Sequence, residues 1–421
     1  MPKVKSEKVS TKIKWSIILL SFAGQLAWAV ENQYFNLFLY NEIAPVPMYV
    51  SLLVAITSVA STVTAIFMGA LSDVKGKRRI FMLIGYSLWA LTTAMFPLSG
   101  FFRPVVLAVT IAILFDSIMT FFGAMANDAA LNAYVTDVTN TQNRGKITSL
   151  MEIMFLIATL IIYGFAGFII EAVGYYVFFY IVGVLVALIG IPGALIAPEP
   201  ESLRPSTLGY WETIKSTFSR TAITKNKNLF LILIGTALWG IAFNVFFPFV
   251  LIYLEHYLHI PIFLASIVIF VALLISIIAA YPVGKLVDKF GRKKIALGAV
   301  FLEAVSLFLF AFSELVIFLA ITAAFWVFAM VTWDIASKTW VRDLLPDEKR
   351  GQFSGYFILF NVLIGMTIGP LIGGVISETY GESIMIEGIA GFIPPPLIFI
   401  VAAFLMLLVL IPIAKAKEFE N

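Results

Sequence analysis

Long apolar runs alternate with polar breaks along the whole 421-residue chain. Twelve runs stand out, near 15–40, 48–72, 79–98, 105–134, 145–171, 175–197, 229–255, 262–284, 294–312, 315–341, 351–377 and 391–413. Each is close to the about 20 residues that an α-helix needs to cross roughly 30 Å of hydrocarbon. The pattern predicts an all-α polytopic membrane protein. One polar break is long, residues 198–228, and it splits the chain into halves at 1–197 and 229–421. Inside it Leu208, Trp211, Ile214 and Phe218 recur at helical spacing. They fit a helix lying along the membrane surface, and a plain flexible linker is the other reading.

Composition agrees: 61% of residues are hydrophobic and 13% charged, against about 25% charged in a soluble protein. The distribution of cations carries more than the net charge of +3. Of 28 Lys and Arg, 26 fall at the two termini or in the breaks that follow an even number of runs, leaving Arg103 and Lys338. The positive-inside rule then places both termini in the cytoplasm of a multi-pass cell-membrane protein. Lys12, Lys14 and Ala27-Trp28-Ala29 also imitate a cleavable signal peptide, but the apolar run continues past that point and its loss would leave an unsymmetrical bundle. With no Cys and two His, thiol catalysis and Cys- or His-rich metal centres are excluded. No phosphate-binding glycine loop is present. The expected partners are the bilayer, a small solute and a proton, with no cofactor, metal or nucleic acid; the chain is expected to act as a monomer and not as an enzyme.

The halves repeat. "GALSDVKGKRR" at 69–79 has a twin in "GKLVDKFGRKK" at 284–294, so that Gly69, Asp73 and Gly76 match Gly284, Asp288 and Gly291. Gly24 and Trp28 match Gly235 and Trp239. Asp137 followed by Arg144 matches Asp343 followed by Arg350, and Gly167, Glu171 and Gly174 match Gly374, Glu378 and Gly381. Matches in the same order mark a duplicated six-helix unit. The paired motif resembles the major facilitator superfamily along the whole chain, and the resemblance implies a twelve-helix transporter working by alternating access. It further implies a cytoplasmic gate built from Gly69, Asp73, Gly76, Arg78, Arg79, Asp137 and Arg144, with Gly284, Asp288, Gly291, Arg292, Asp343 and Arg350 in the second half. There Asp73 would meet the helix start near Gln352, and Asp288 the one near Lys146. Asp137 and Asp343 would pair with Arg78, Arg79, Lys293 or Lys294. A positive-inside anchor alone explains the cations but not the spaced Gly and Asp.

Charge at membrane depth is costly, so each acid there is a functional candidate. Glu31 in run 1 and Asp116 in run 4 both fall within roughly 5 Å of mid-membrane at 1.5 Å per residue. No Lys or Arg within the first half's apolar interior neutralises them. Desolvation favours the protonated form of a carboxyl, which suits a proton-coupling group. A neutral carboxyl satisfied by a carbonyl or by Ser117 is the bland alternative. Asp128 and Asp334 are repeat-equivalent, and Lys338 follows Asp334 at ion-pair spacing; they fit an intramembrane ion pair or the inner edge of a substrate site. Glu303 and Glu152 read as packing residues. Gln33, Asn127, Asn244 and Asn361, with Trp28 and Trp239 as aromatic platforms, complete the expected proton-coupling and substrate set, which suits a neutral polyhydroxylated solute.

The stretches "GQLAWAVENQYF" and "NDAALNAYVTDVTNTQNRG" are similar to the sucrose-transporter and glycoside–cation symporter branch. Sodium-coupled members of that branch place acids on the second helix, and here 48–72 holds none; the proton becomes the expected ion. The resemblance thus implies proton-coupled symport of a small neutral polar solute such as a sugar, the alternative being a proton-driven exporter of drugs or other lipophilic cations. Phosphate exchangers need cavity arginines, which are missing.

Overall fold

The computed structural model describes residues 9–140, 143–200, 203–207, 209–217, 227–280, 282–344 and 358–417. Helices dominate: α1 Thr11–Ile43, α2 Pro47–Lys75, α3 Arg79–Phe101, α4 Val105–Val138, α5 Arg144–Ile196, α7 Lys227–Tyr257, α8 Ile262–Ala280, α12 Ile358–Tyr380 and α13 Leu397–Lys415. Between them lie α6 Tyr210–Thr217, α9 Val283–Phe290, α10 Arg292–Phe310 and α11 Val316–Leu344. Ten helices among the described residues are long and apolar enough to cross a bilayer. Two departures from the apolar pattern have local causes. Residues 145–171 and 175–197 are two helical stretches that meet end to end within α5 at Gly174, whose φ of 81° and ψ of 168° break the helix; glycine adopts that geometry without a Cβ penalty. The α10 segment opens on Arg292, Lys293 and Lys294 and holds Glu303, so its charge masks an otherwise apolar stretch.

The last run starts later than its hydropathy suggests. Residues Ser383–Ile386 (β1) and Ile389–Phe392 (β2) pair antiparallel, with Ile386 opposite Ile389. Glu387 and Gly388 at the tip both have positive φ, the requirement of a tight two-residue hairpin. A Pro-Pro-Pro stretch at 394–396 then delays α13 to Leu397. The all-α expectation is therefore corrected by one short hairpin.

Contacts cluster into two compact units: Met1–Asn32, Ala60–Ile162 and Val173–Ser216 form one, and Gln33–Val59, Tyr163–Ala172 and Thr217–Asn421 the other. In the first, α3 packs on α4 around Trp89, Tyr86 and Phe96, all fully buried. In the second, α10 packs on α11 and α13, and α7 on α12 and α13. Phe399 centres that core, 4.8 Å from the Tyr253 ring, 4.9 Å from Phe310 and 5.4 Å from Phe246. The outward faces are as apolar as the interior: Leu188, Ile278, Phe312 and Phe404 are all exposed. Apolar exposure on this scale is stable only against lipid.

Candidate functional site

Several polar residues of the long helices sit where α-helical winding loosens. Helix α1 turns from α to π at Glu31–Phe35 and again at Leu39–Ile43, α4 does so at Ala124–Leu131, α7 at Tyr253–Tyr257 and α12 at Ile358–Ile364. These segments hold Glu31, Gln33, Asn41, Asn127, Asp128, Glu255, His256 and Asn361. A π turn shifts side chains off the regular helical face and leaves carbonyls imperfectly paired, and such turns recur at functional sites. Composition and periodicity do not reveal a π turn, so this signal was beyond the sequence.

In the first unit, Glu31 Oε1 accepts a hydrogen bond from Thr120 Oγ1 at 2.9 Å. Its Oε2 is buried without a partner among the described residues. Asp116 lies one turn before Thr120 on α4, so both face α1. It is only 2% exposed, its Oδ1 also lacks a partner, and its charge acts on Glu31. The structure thus brings together the two acids named from sequence and adds Thr120, which sequence reasoning missed; a hydroxyl at i+4 from Asp116 was the available clue. A second cluster follows on α4. The Asn127 Nδ2 donates to Asp128 Oδ1 at 3.0 Å, and the Asn127 Oδ1 faces the Tyr86 hydroxyl at 3.3 Å, which also donates to the Leu20 carbonyl at 2.7 Å. A Cβ on Gly24 would lie 2.6 Å from that Oδ1, so the repeated glycine is there to admit the amide. Trp28 packs against Trp89, ring centroids 4.8 Å apart.

In the second unit, the Gln33 Nε2 donates to the Phe247 carbonyl at 2.7 Å. Asn244 is turned back on its own helix, to the Gly240 carbonyl, and Gly240 in turn lies against Asn361. Trp239 stacks on Phe243 at 5.0 Å and 14° and on Trp333 at 6.3 Å and 25°, making an aromatic wall. Its Nε1 donates to Glu303 at 2.8 Å. Lys338 and Asp334 form the expected ion pair at 2.5 Å. Its repeat counterpart Asp128 holds Asn127 instead, and Asn132 reaches only the Asp128 carbonyl. Another cluster that the sequence did not suggest joins Asn41 to Glu255 at 2.9 Å and to His256 at 2.8 Å. Glu152, expected as a packing residue, is exposed.

The twin glycine–aspartate motifs build matching charge relays. Arg78 is 4% exposed; it pairs with Asp73 at 2.6 Å and Asp137 at 2.8 Å and donates to Ser72. Burial alone would lower the Arg78 pKa, but the hydrogen bond to Asp137 and the charge of Asp73 outweigh it and raise it. In the second copy Arg292 pairs with Asp288 at 3.5 Å and Asp343 at 2.9 Å. Asp343 was expected to pair with Arg78, Arg79, Lys293 or Lys294, and Arg292 takes that place. Gly291 (φ 90°) hands directly to Arg292, whereas Lys77 separates Gly76 (φ 60°) from Arg78, so the arginines align one residue off the glycines. Lys293 instead caps the end of α13 through the Ala414 and Ala416 carbonyls. Arg79 donates to the Leu195 carbonyl, and Glu199 accepts the backbone N–H of both Arg78 and Arg79. Gly69 and Gly284 lie within helices with no contact closer than 3.8 Å awaiting a Cβ; only the second glycine of each motif makes a turn. Arg144 crosses to Thr139 at 3.1 Å. Arg350 and Gln352 lie outside the described residues, as do Leu208 and Phe218; Trp211 is on α6, 63% exposed, with its ring 6.0 Å from Phe67.

A bundle of this kind, with acids held inside apolar helices and repeated cationic relays at helix ends, is that of a membrane transport protein. The family model for the Major Facilitator Superfamily matches residues 17–276 and 232–418, and the chain belongs to that superfamily. Solved structures share the fold. The nucleoside transporter NupG is 15% identical with a TM-score of 0.69, over 97% of this chain and 100% of that one. A bacterial homolog of the human lysosomal transporter Spinster, inward-facing and unoccupied, is 14% identical with a TM-score of 0.70, over 97% and 96%. No curated protein matches the sequence significantly.

Proposed function

We propose that the chain is a secondary active transporter working by alternating access, in which Glu31 and Asp116 share the proton that couples uptake of a small neutral polar solute such as a sugar. The observation that carries this reading is the carboxyl pair itself. The charge of Asp116 acts on Glu31, each has an oxygen with no partner among the described residues, and the apolar interior of that half brings no Lys or Arg. Two negative charges so placed are strongly unfavourable, and one shared proton relieves them. The reading includes twelve crossings, counted as the ten apolar helices with α5 divided at Gly174 and α10 added. Both termini then lie in the cytoplasm of a monomeric cell-membrane protein, with halves 1–197 and 229–421 joined by the loop 198–228. Asp73, Arg78 and Asp137, with Asp288, Arg292 and Asp343, serve as the cytoplasmic gate.

The test uses proteoliposomes with an imposed pH gradient, challenged with sugars and with nucleosides, the latter because NupG shares the fold. Wild-type protein concentrates its solute against a gradient when protons flow inward with it. Glu31→Gln abolishes that accumulation and keeps solute exchange. Normal accumulation by Glu31→Gln removes Glu31 from coupling, and a proton leak driven by lipophilic cations instead of sugars replaces symport by drug export.

A further inference from the structure

Outside the carboxyl pair, the acid buried from solvent among the described residues is Glu303, midway along α10. It is 0% exposed. One oxygen, Oε2, accepts from the Trp239 indole at 2.8 Å, and the other, Oε1, has no partner among the described residues. Among the described residues, the helices packed on α10 place no free counter-charge beside it. On α11, Asp334 acts on Glu303 as a like charge, and Lys338 is held by Asp334. Helix α7 has Lys227 at its start and Glu255 and His256 at its far end, α13 has only Lys415 at its end, and the cations of α10 lie in its first turn. An ionised Glu303 would be an unpaired charge in a dry interior, which several kcal/mol oppose. A bound metal ion would need several oxygen ligands, whereas the described partner is an N–H donor. A proton on Oε1 needs nothing more.

We propose that Glu303 is a second proton-binding site, in the second half of the transporter, and that its proton sets the hydrogen bond that holds Trp239 in the aromatic wall. A carboxylate accepts a shorter and stronger bond than a neutral acid does. Loss or gain of the proton therefore shifts the indole against Phe243 and Trp333, and with it the face offered to a ring-shaped neutral solute. The inference rests on the proton-coupled reading of the chain, yet it is read without transport.

Purified full-length protein is titrated between about pH 5 and 9, following tryptophan emission and the infrared C=O stretch of protonated carboxyls. Wild type shows an emission change accompanied by a carboxyl band. Glu303→Gln, which still accepts from the indole, loses the emission change and the part of the carboxyl band that Glu303 contributes; Trp239→Phe loses the emission change and keeps that part of the band; Glu31→Gln keeps the emission change. An emission change that survives in folded Glu303→Gln or Trp239→Phe overturns the proposal, as does a flat wild-type titration. Trp239→Phe carries the test alone if Glu303→Gln does not fold. In proteoliposomes Glu303→Gln loses uphill accumulation and retains exchange. Failure of the Glu31→Gln prediction would sink the assignment of the first site while leaving this titration standing.

Discussion

Residues that look interchangeable in the sequence are separated by their surroundings. Arg78 and Arg79 are adjacent members of one basic cluster. Arg78 is buried and bonded to Asp73, Asp137 and Ser72, while Arg79 is exposed. Removing one partner of a buried ion network strands the others. Arg78→Ala is expected to cost about 2–4 kcal/mol, and Arg79→Ala under about 1 kcal/mol. Thermal unfolding of the two variants in detergent measures the difference, and equal melting points would contradict the relay. The same logic separates the acids. Asp334 has Lys338 within ion-pairing distance, whereas Asp116 keeps a buried oxygen unpaired. Asp116→Asn should therefore impair proton-driven accumulation more than Asp334→Asn impairs it, measured side by side as steady-state solute ratios.

Between helices, glycine spacing determines how closely backbones approach. Gly365, Gly369 and Gly373 recur every fourth residue on α12, a small-residue face of the kind that lets membrane helices touch. All three meet α7: Gly365 lies on Gly240, and a Cβ on Gly369 would come 2.5 Å from the Ile241 carbonyl. A Cβ on Gly373 would collide with the Val245 carbonyl. Gly369→Leu should thus destabilise the fold by about 1–3 kcal/mol or more, as overpacking does. Gly284→Ala, inside α9 with open space around it, should be neutral or stabilising by about 0.5–1 kcal/mol. Size-exclusion profiles after heating distinguish the two. The sequence made much of this legible. Apolar runs located the ten helices long and apolar enough to cross a bilayer, the spaced Gly and Asp marked where the relays lie and the Arg78–Asp137 pair within them, and depth singled out Glu31 and Asp116. Four features escaped it for identifiable reasons. The π turns depend on hydrogen-bond registry, which no residue type marks. The hairpin at 383–392 falls mostly in the short break between the runs 351–377 and 391–413, where no helix-length pattern marks it. The one-residue slip that makes Arg292 the partner of Asp343 follows from where Gly291 ends α9. Glu303 was read as packing because only tertiary contacts bring Trp239 to it.

At the scale of the whole molecule, one compact unit joins the last part of α1, the first part of α2 and part of α5 to the helices of the second half. Specific contacts hold that unit. Ser51 donates to the Pro370 carbonyl at 2.6 Å, the Tyr34 hydroxyl meets Ser266 at 2.9 Å, and Glu171 accepts the Phe263 N–H at 2.8 Å. These bonds join residues of the two halves of the sequence, and the alternating access proposed above would require such contacts to break and re-form in each cycle. The absence of cysteine from the chain makes that requirement testable with an uncomplicated cross-link. The Ser58 and Thr367 hydroxyl oxygens are 3.0 Å apart, a separation that places the two side chains within reach of a disulfide, whose Cβ atoms stand about 3.8 Å apart. In Ser58→Cys/Thr367→Cys, oxidation should form the bond and stop transport, and reduction should restore it. Each single variant should transport equally under both conditions. Full activity in a double variant whose cross-link is verified by mass would mean that α2 and α12 never separate here, and transport would have to proceed by another route.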